Sequence, residues 1–151
     1  MTTTPPLRVL FFDVFGTCVA QRDPVADELS KAAKDALESD ASPMNHEVRS
    51  SATKMVCLGQ VIRAMEWDRE VDKFASDSKA KHDSVDWRAV DRYRLESLRK
   101  LLAQRGVVIL QGDSPELHVE EGSFWDESKL NQLAHVWHRL PPWPDTCRGL
   151  D

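Results

Sequence analysis

The chain has 151 residues, enough for one ordinary domain with a real hydrophobic core. Its 41% hydrophobic and 30% charged residues, with a mean hydropathy of −0.47, are the composition of a soluble globular protein. A net charge of −5 without a basic run or aromatic–basic interleaving argues against nucleic acid as a partner, and no apolar stretch nears the roughly 20 residues that span a bilayer.

The start, Met1 to Pro6, lacks the charged and apolar regions of a secretory signal, so a cytoplasmic location is expected. Val9 to Phe12 is an apolar run of aromatic and branched residues that reads as a buried strand. It ends on Asp13, with Gly16-Thr17 breaking the strand soon after. An unpaired carboxylate beside a core is costly, and the crevice beyond the carboxyl ends of strands is where ligands bind in open α/β sheets. Asp13 therefore stands where an attacking group belongs; the plainer alternative is a strand-to-turn Asp.

Asp23-Pro24 reads as a helix start, with Asp23 as N-cap, and Val25, Leu29, Ala32, Ala33, Ala36 and Leu37 carry the helix to about Glu38. Ser39 to His46 reads as a loop. One helical segment is expected over about Val48–Phe74, from Met55, Leu58, Ile62, Met65 and Arg69 at spacings of three and four, with Gly59 its weak point. Lys73 to Ser84 is charged and loop-like. Asp86 then caps a helix over Trp87–Gln104, closed by Gly106, with Trp87, Val90, Leu98 and Leu101 facing inward.

Val107 to Leu110 is either a short strand or an apolar loop docking on the helices, and Gln111 to Gly122 reads as loop. Asp126 to Leu140 forms a fourth helix whose inner face carries Leu130, Leu133, Trp137 and Leu140. Pro141-Pro142-Trp143-Pro144 stops it as a stiff linker, and Asp145 caps a further helix. Cys18, Cys57 and Cys147 have neither zinc nor disulfide spacing; Cys18 reads as a small apolar filler rather than a nucleophile. His135 and His138 stand three apart with nothing nearby to complete a metal site, so a solvated helix face accounts for them.

The run Asp13-Val14-Phe15-Gly16-Thr17 resembles motif I of the haloacid dehalogenase superfamily, in the form of its type II 2-haloacid dehalogenase branch. Phosphatase branches usually place an acidic general acid two residues after the nucleophile; here Phe15, which transfers no proton, stands there. The helices and the return segment Trp137 to Asp145 are similar, in order, to the helical cap that this branch inserts after its first core strand, and to the chain's way back into the core. The resemblance implies a mainly α chain in three parts: the motif I strand and loop of an α/β (Rossmannoid) core over 1–22, a four-helix cap over 23–140, and a return linker over 141–151.

The implied chemistry is displacement of halide from a 2-haloacid by the Asp13 carboxylate, followed by hydrolysis of the aspartyl ester to a 2-hydroxy acid. It implies no cofactor and no metal. The resemblance implies that Phe15, Gly16 and Thr17 in the nucleophile loop bind the substrate, with Phe15 excluding water and Thr17 bonding the loop, and that Trp67 with a following Arg meets it too. The family's Arg directly follows the Trp; here Asp68 does, and Arg69 is displaced by about 100° around a helix. Arg69 as a substrate contact and an Asp68–Arg69 pair on a solvated face are both open. The family's later motifs, a strand-end Ser/Thr with Asn nearby, a Lys and a final acidic motif, have no counterpart in the 151 residues. Impaired catalysis is one expectation. The other is a truncated, non-catalytic cap-like module acting by association with another chain or as a homodimer, since a lone strand has two open edges.

Overall fold

A computed structural model describes residues 18–39, 44–59, 62–81, 89–111 and 118–146, the last four residues of 62–81 by backbone alone. The expected motif I strand and Asp86-Trp87 lie outside these residues. Among the described residues the fold is mainly helical: α1 (Arg22–Glu38), α2 (His46–Cys57), α3 (Ala64–Lys81), α4 (Val90–Gln104) and α5 (Glu127–Ala134), then a 3₁₀ segment (His135–Arg139). None of these helices is long and apolar enough to cross a membrane.

Helix α1 forms where its apolar spacing predicts and buries Val25, Leu29, Ala32 and Ala33. Its N-cap is Gln21 rather than Asp23, which moves the start two residues earlier. Asp23 instead lies in the first turn, where a negative charge opposes the helix dipole, and Pro24 also falls among the first amides, whose missing donor breaks no intrahelical bond.

The single helix expected over 48–74 is two helices. Asn45 caps α2, its Oδ1 accepting from the amides of Glu47 and Val48, and Gly59 at φ +62° takes the left-handed turn that ends it. The apolar ladder misled because it is not one face: Met55 and Ile62 are buried, whereas Leu58 is 66% and Met65 51% exposed. Helix α3 then runs to Lys81, through residues expected as loop. Buried Glu70 sits between Lys73 of its own helix and Lys100 of α4, and Lys100 also lies 5.3 Å from the Phe74 ring. The stretch expected as loop thus continues α3 to Lys81, with its Phe74 facing Lys100 of α4.

Helix α4 closes as expected at Gly106, at φ +67°. The Gly106 amide donates to the Ala103 carbonyl at 2.9 Å and the Val107 amide to the Leu102 carbonyl at 3.1 Å, the paired bonds of a Schellman cap. Beyond it, both readings of Val107–Leu110 hold in part. Val107 and Val108 dock in the core as a bend, and Leu110–Gln111 forms β1, antiparallel to β2 (His118–Val119) inside the stretch expected as loop. The hairpin escaped the sequence because two-residue strands leave no period to read. Ser123 Oγ accepts from the Ile109 amide at 2.9 Å and holds the hairpin base to the chain entering α5.

Asp126 caps α5 through the Lys129 amide, and the expected helix tightens to 3₁₀ at His135. Leu130, Leu133 and Trp137 face the core as expected, and Leu140 is partly buried. One core unites all five helices, with Trp67, Phe124, Leu29, Ile62, Leu98, Leu102, Leu130 and Leu133 its largest fully buried side chains. Ion pairs stitch its rim: Arg99 to Glu127 between α4 and α5, and Arg139 to Glu28 between the 3₁₀ segment and α1.

Hydrogen bonds from Lys100 and then Lys73 hold the Glu70 carboxyl below its ordinary 4.5, outweighing the effect of burial. A depressed acid stabilises the fold above 4.5 and loses that contribution as pH falls toward the native value. Glu70→Gln is expected to lose about 1.5–3 kcal/mol of stability at pH 7. Urea unfolding of both proteins should show the gap closing as pH falls below 4.5.

Candidate functional site

The two ends of the helical body meet. The Ala20 amide donates to the Pro141 carbonyl at 2.9 Å, the Trp143 amide to the Cys18 carbonyl at 3.1 Å, and Val19 bridges Pro142 in antiparallel sense. Thr146 Oγ1 donates to the same Cys18 carbonyl at 2.8 Å. Proline explains the pattern: Pro141 and Pro142 have no amide to give, so the return strand contributes a carbonyl at 141 and an amide only at 143. Cys18, half-buried, lends its backbone to this ribbon. Asp13, Phe15, Gly16 and Thr17 precede it and lie outside the described residues.

Trp67 and Arg69 are not brought together. Trp67 is 0% exposed; its indole N–H lies 2.9 Å from both the Ser97 hydroxyl and the Arg94 carbonyl, and its ring meets Trp137 edge-on at 5.6 Å. The structure thus makes it a core residue, remote from any solvent-borne ligand. Two positions along a helix turn the side chain by about 200°, so Arg69 emerges on the opposite side. There Arg69 lines a groove of about 630 Å³ with Leu58, Gly59, Arg63, Met65, Glu66 and Arg105. Its Nε donates to the Met65 carbonyl at 3.2 Å, and Arg105 Nη2 reaches both Glu66 oxygens at 2.7 and 2.8 Å. Three guanidiniums against one carboxylate leave the groove cationic, suited to a small carboxylate.

Asp68 turns neither way. It is half-buried toward α4, where burial raises its carboxyl above the ordinary 3.8, Arg94 pulls it back and Asp72 adds to the rise. Arg94 in turn lies 4.6 Å above the Trp137 ring and is itself lowered chiefly by burial. An acid at position 68 is therefore absorbed into the α3–α4 contact and does not face the Arg69 groove.

A second groove, of about 770 Å³, runs along α1 and the α5 entry, lined by Ala36, Gly122, Phe124, Trp125, Lys129 and the acidic Asp35, Glu120, Glu121 and Asp126. Four acids against one lysine disfavour an anion there. His135 and His138 are exposed, as a solvated face requires, and the fold brings a third polar side chain to them. Asp91, at the start of α4, brings a carboxylate to both, with His138 Nε2 2.8 Å from Asp91 Oδ1. Neither Asp91 nor the contributions of Arg63 and Arg105 had any sequence signal, because each depends on which helices pack together. Comparison with protein-family models, with curated proteins and with solved structures gave no match.

Because burial raises Asp68, the ionised native carboxylate is penalised: its favourable contribution is complete below 3.8 and is lost as pH rises through the native value. Asp68→Asn is therefore expected to be more stable than the parent at pH 7 and equal to it below pH 3.8. Thermal denaturation at the two pH values measures both.

Proposed function

We propose that this chain is a haloacid dehalogenase-like hydrolase in which Asp13 is the nucleophile and residues 23–140 are the cap. One observation carries the reading: the Cys18–Ala20 and Pro141–Trp143 backbones pair, so the helical body leaves beside the place where it was entered. An insertion into a core needs such adjacent ends, and Asp13 stands five residues before them. The cationic groove of Arg63, Arg69 and Arg105 adds support, as a place for the carboxylate of a 2-haloacid or related acid.

In the proposed reaction an Asp13 oxygen attacks the halogen-bearing C2, the carbon–halogen bond breaks, and its electron pair leaves with the halide. Attack of water on the Asp13 carboxyl carbon then breaks the ester and frees the 2-hydroxy acid, with one water oxygen retained on Asp13 and a proton released. Desolvation by a closed cap sharpens a carboxylate nucleophile, and fixed alignment with C2 supplies most of the remaining gain. A phosphatase reading is weaker, because Phe15 offers no general acid. The competing reading is a non-catalytic module that acts by association, favoured by the exposed Leu58 and Met65 beside one groove.

The 151-residue chain incubated with 2-chloropropionate in ¹⁸O-water should release chloride slowly, since it carries no counterpart of the family's Ser/Thr, Lys and acidic motifs, and should gain ¹⁸O in the peptide that contains Asp13. Asp13→Asn should abolish both. Arg69→Met should raise KM by about tenfold, the cost of one charge-assisted hydrogen bond. Absence of chloride release and of label, together with self-association that Leu58→Lys disrupts, would establish the module instead.

A further inference from the structure

We propose that Asp91, His135 and His138 form a binding site for one first-row transition-metal dication of the zinc class, fastening the start of α4 to the segment that leads into the Pro141–Trp143 ribbon. The proposal does not depend on the reaction assigned above. One ligand atom from each of the three residues lies within 4.8 Å of the other two. Around a tetrahedral ion with ligands near 2.0–2.2 Å, neighbouring donors sit about 3.3 Å apart. The observed spread, from 2.8 Å between His138 and Asp91 upward, brackets that value.

The local backbone builds the pair of imidazoles. In a 3₁₀ helix three residues complete a turn, so positions 135 and 138 eclipse, and their ring centroids lie 5.3 Å apart. His135 is oriented for ligation. Its Nδ1 lies 2.7 Å from the Asn131 carbonyl, an atom that only accepts, so Nδ1 carries the proton and the Nε2 lone pair is free. A backbone carbonyl on the second ring nitrogen is the usual support of a metal-bound histidine. Arg139 Nη1 donates to the His135 carbonyl at 3.1 Å and steadies the same turn.

His138 now bonds Asp91 through Nε2. With its proton carried on Nδ1 instead, Nε2 has a lone pair for the ion, and Asp91 Oδ1 exchanges a ring N–H for the metal. Asp91 and His138 are 45% and 51% exposed, so the small side-chain rotations this needs meet little packing. Arg94 lies 4.0 Å from the same Asp91 oxygen and partly offsets its charge, which disfavours hard cations that rely on carboxylate charge alone. Two imidazoles and one carboxylate suit zinc, nickel, cobalt or copper and leave a position facing solvent for water or an exogenous ligand.

The consequence reaches beyond the three ligands. The 3₁₀ segment continues through Leu140 into Pro141, whose carbonyl accepts the Ala20 amide at 2.9 Å. An ion holding His135 and His138 to α4 therefore also holds the exit arm of the ribbon.

The test titrates Zn²⁺ and Co²⁺ into the reduced, chelator-stripped 151-residue chain by calorimetry and visible absorption. One equivalent is expected to bind with micromolar or tighter Kd, with Co²⁺ giving ligand-field bands and no thiolate charge-transfer band. Asp91→Asn, His135→Gln and His138→Gln should each weaken binding at least about tenfold and remove the metal-induced rise in Tm. His118→Gln, on the hairpin, should leave both unchanged. Binding unaffected by the three substitutions, a thiolate band, or no saturable binding would overturn the site.

Discussion

Complete burial of Trp67 is the constraint on which the helical body depends. An indole brings a large apolar surface and one polar N–H, and the N–H must find a partner when the ring leaves water. Ser97 Oγ and the Arg94 carbonyl supply it, and Ser97 in turn donates to that same carbonyl at 3.0 Å. The bond fixes α3 against α4 at one register, since a shift of one residue on either helix removes the acceptor. Trp137 then closes on the Trp67 edge and brings the 3₁₀ segment with it, and Arg94 covers the outer face of Trp137.

From that point a line of polar contacts runs outward. Arg94 approaches Asp91, and Asp91 meets His138. The exposed cluster is thus continuous with the core, and its side chains come together because the tryptophans beneath them do. On the other flank the same α3–α4 register sets Glu70 between two lysines and leaves Asp68 half-buried near Arg94. One buried indole therefore organises both a stabilised and a penalised carboxylate two positions apart.

The helical body is closed where Cys18 to Ala20 pair with Pro141 to Trp143. The ribbon is short, and its proline-limited donors allow few alternative registers. The residues that enter α1, Cys18 to Ala20, lie beside the residues that leave the 3₁₀ helix, Pro141 to Trp143. A change in how α4 grips that helix would thus be felt at the ribbon.

Much of the helical layout was legible locally. Capping and breaking act within about four residues, so Gly106, Asp126 and Pro141 marked their boundaries correctly, and the apolar spacing of α1 matched the face it buries. The same spacing across Gly59 did not, because periodicity cannot distinguish a buried Met55 from an exposed Met65. The charged run from Lys73 to Lys81 read as loop although it continues α3, because charge by itself does not end a helix.

By itself the sequence determined the helix-rich class, the end of α1, the end of α4 and the start of α5. Tertiary structure alone decided that Trp67 is core and Arg69 is surface, that Arg63 and Arg105 join Arg69, and that Asp91 meets His138 across 47 positions. The physical reason is range. Backbone hydrogen bonding and capping are settled among near neighbours, while the company a side chain keeps is set by which helices share a core.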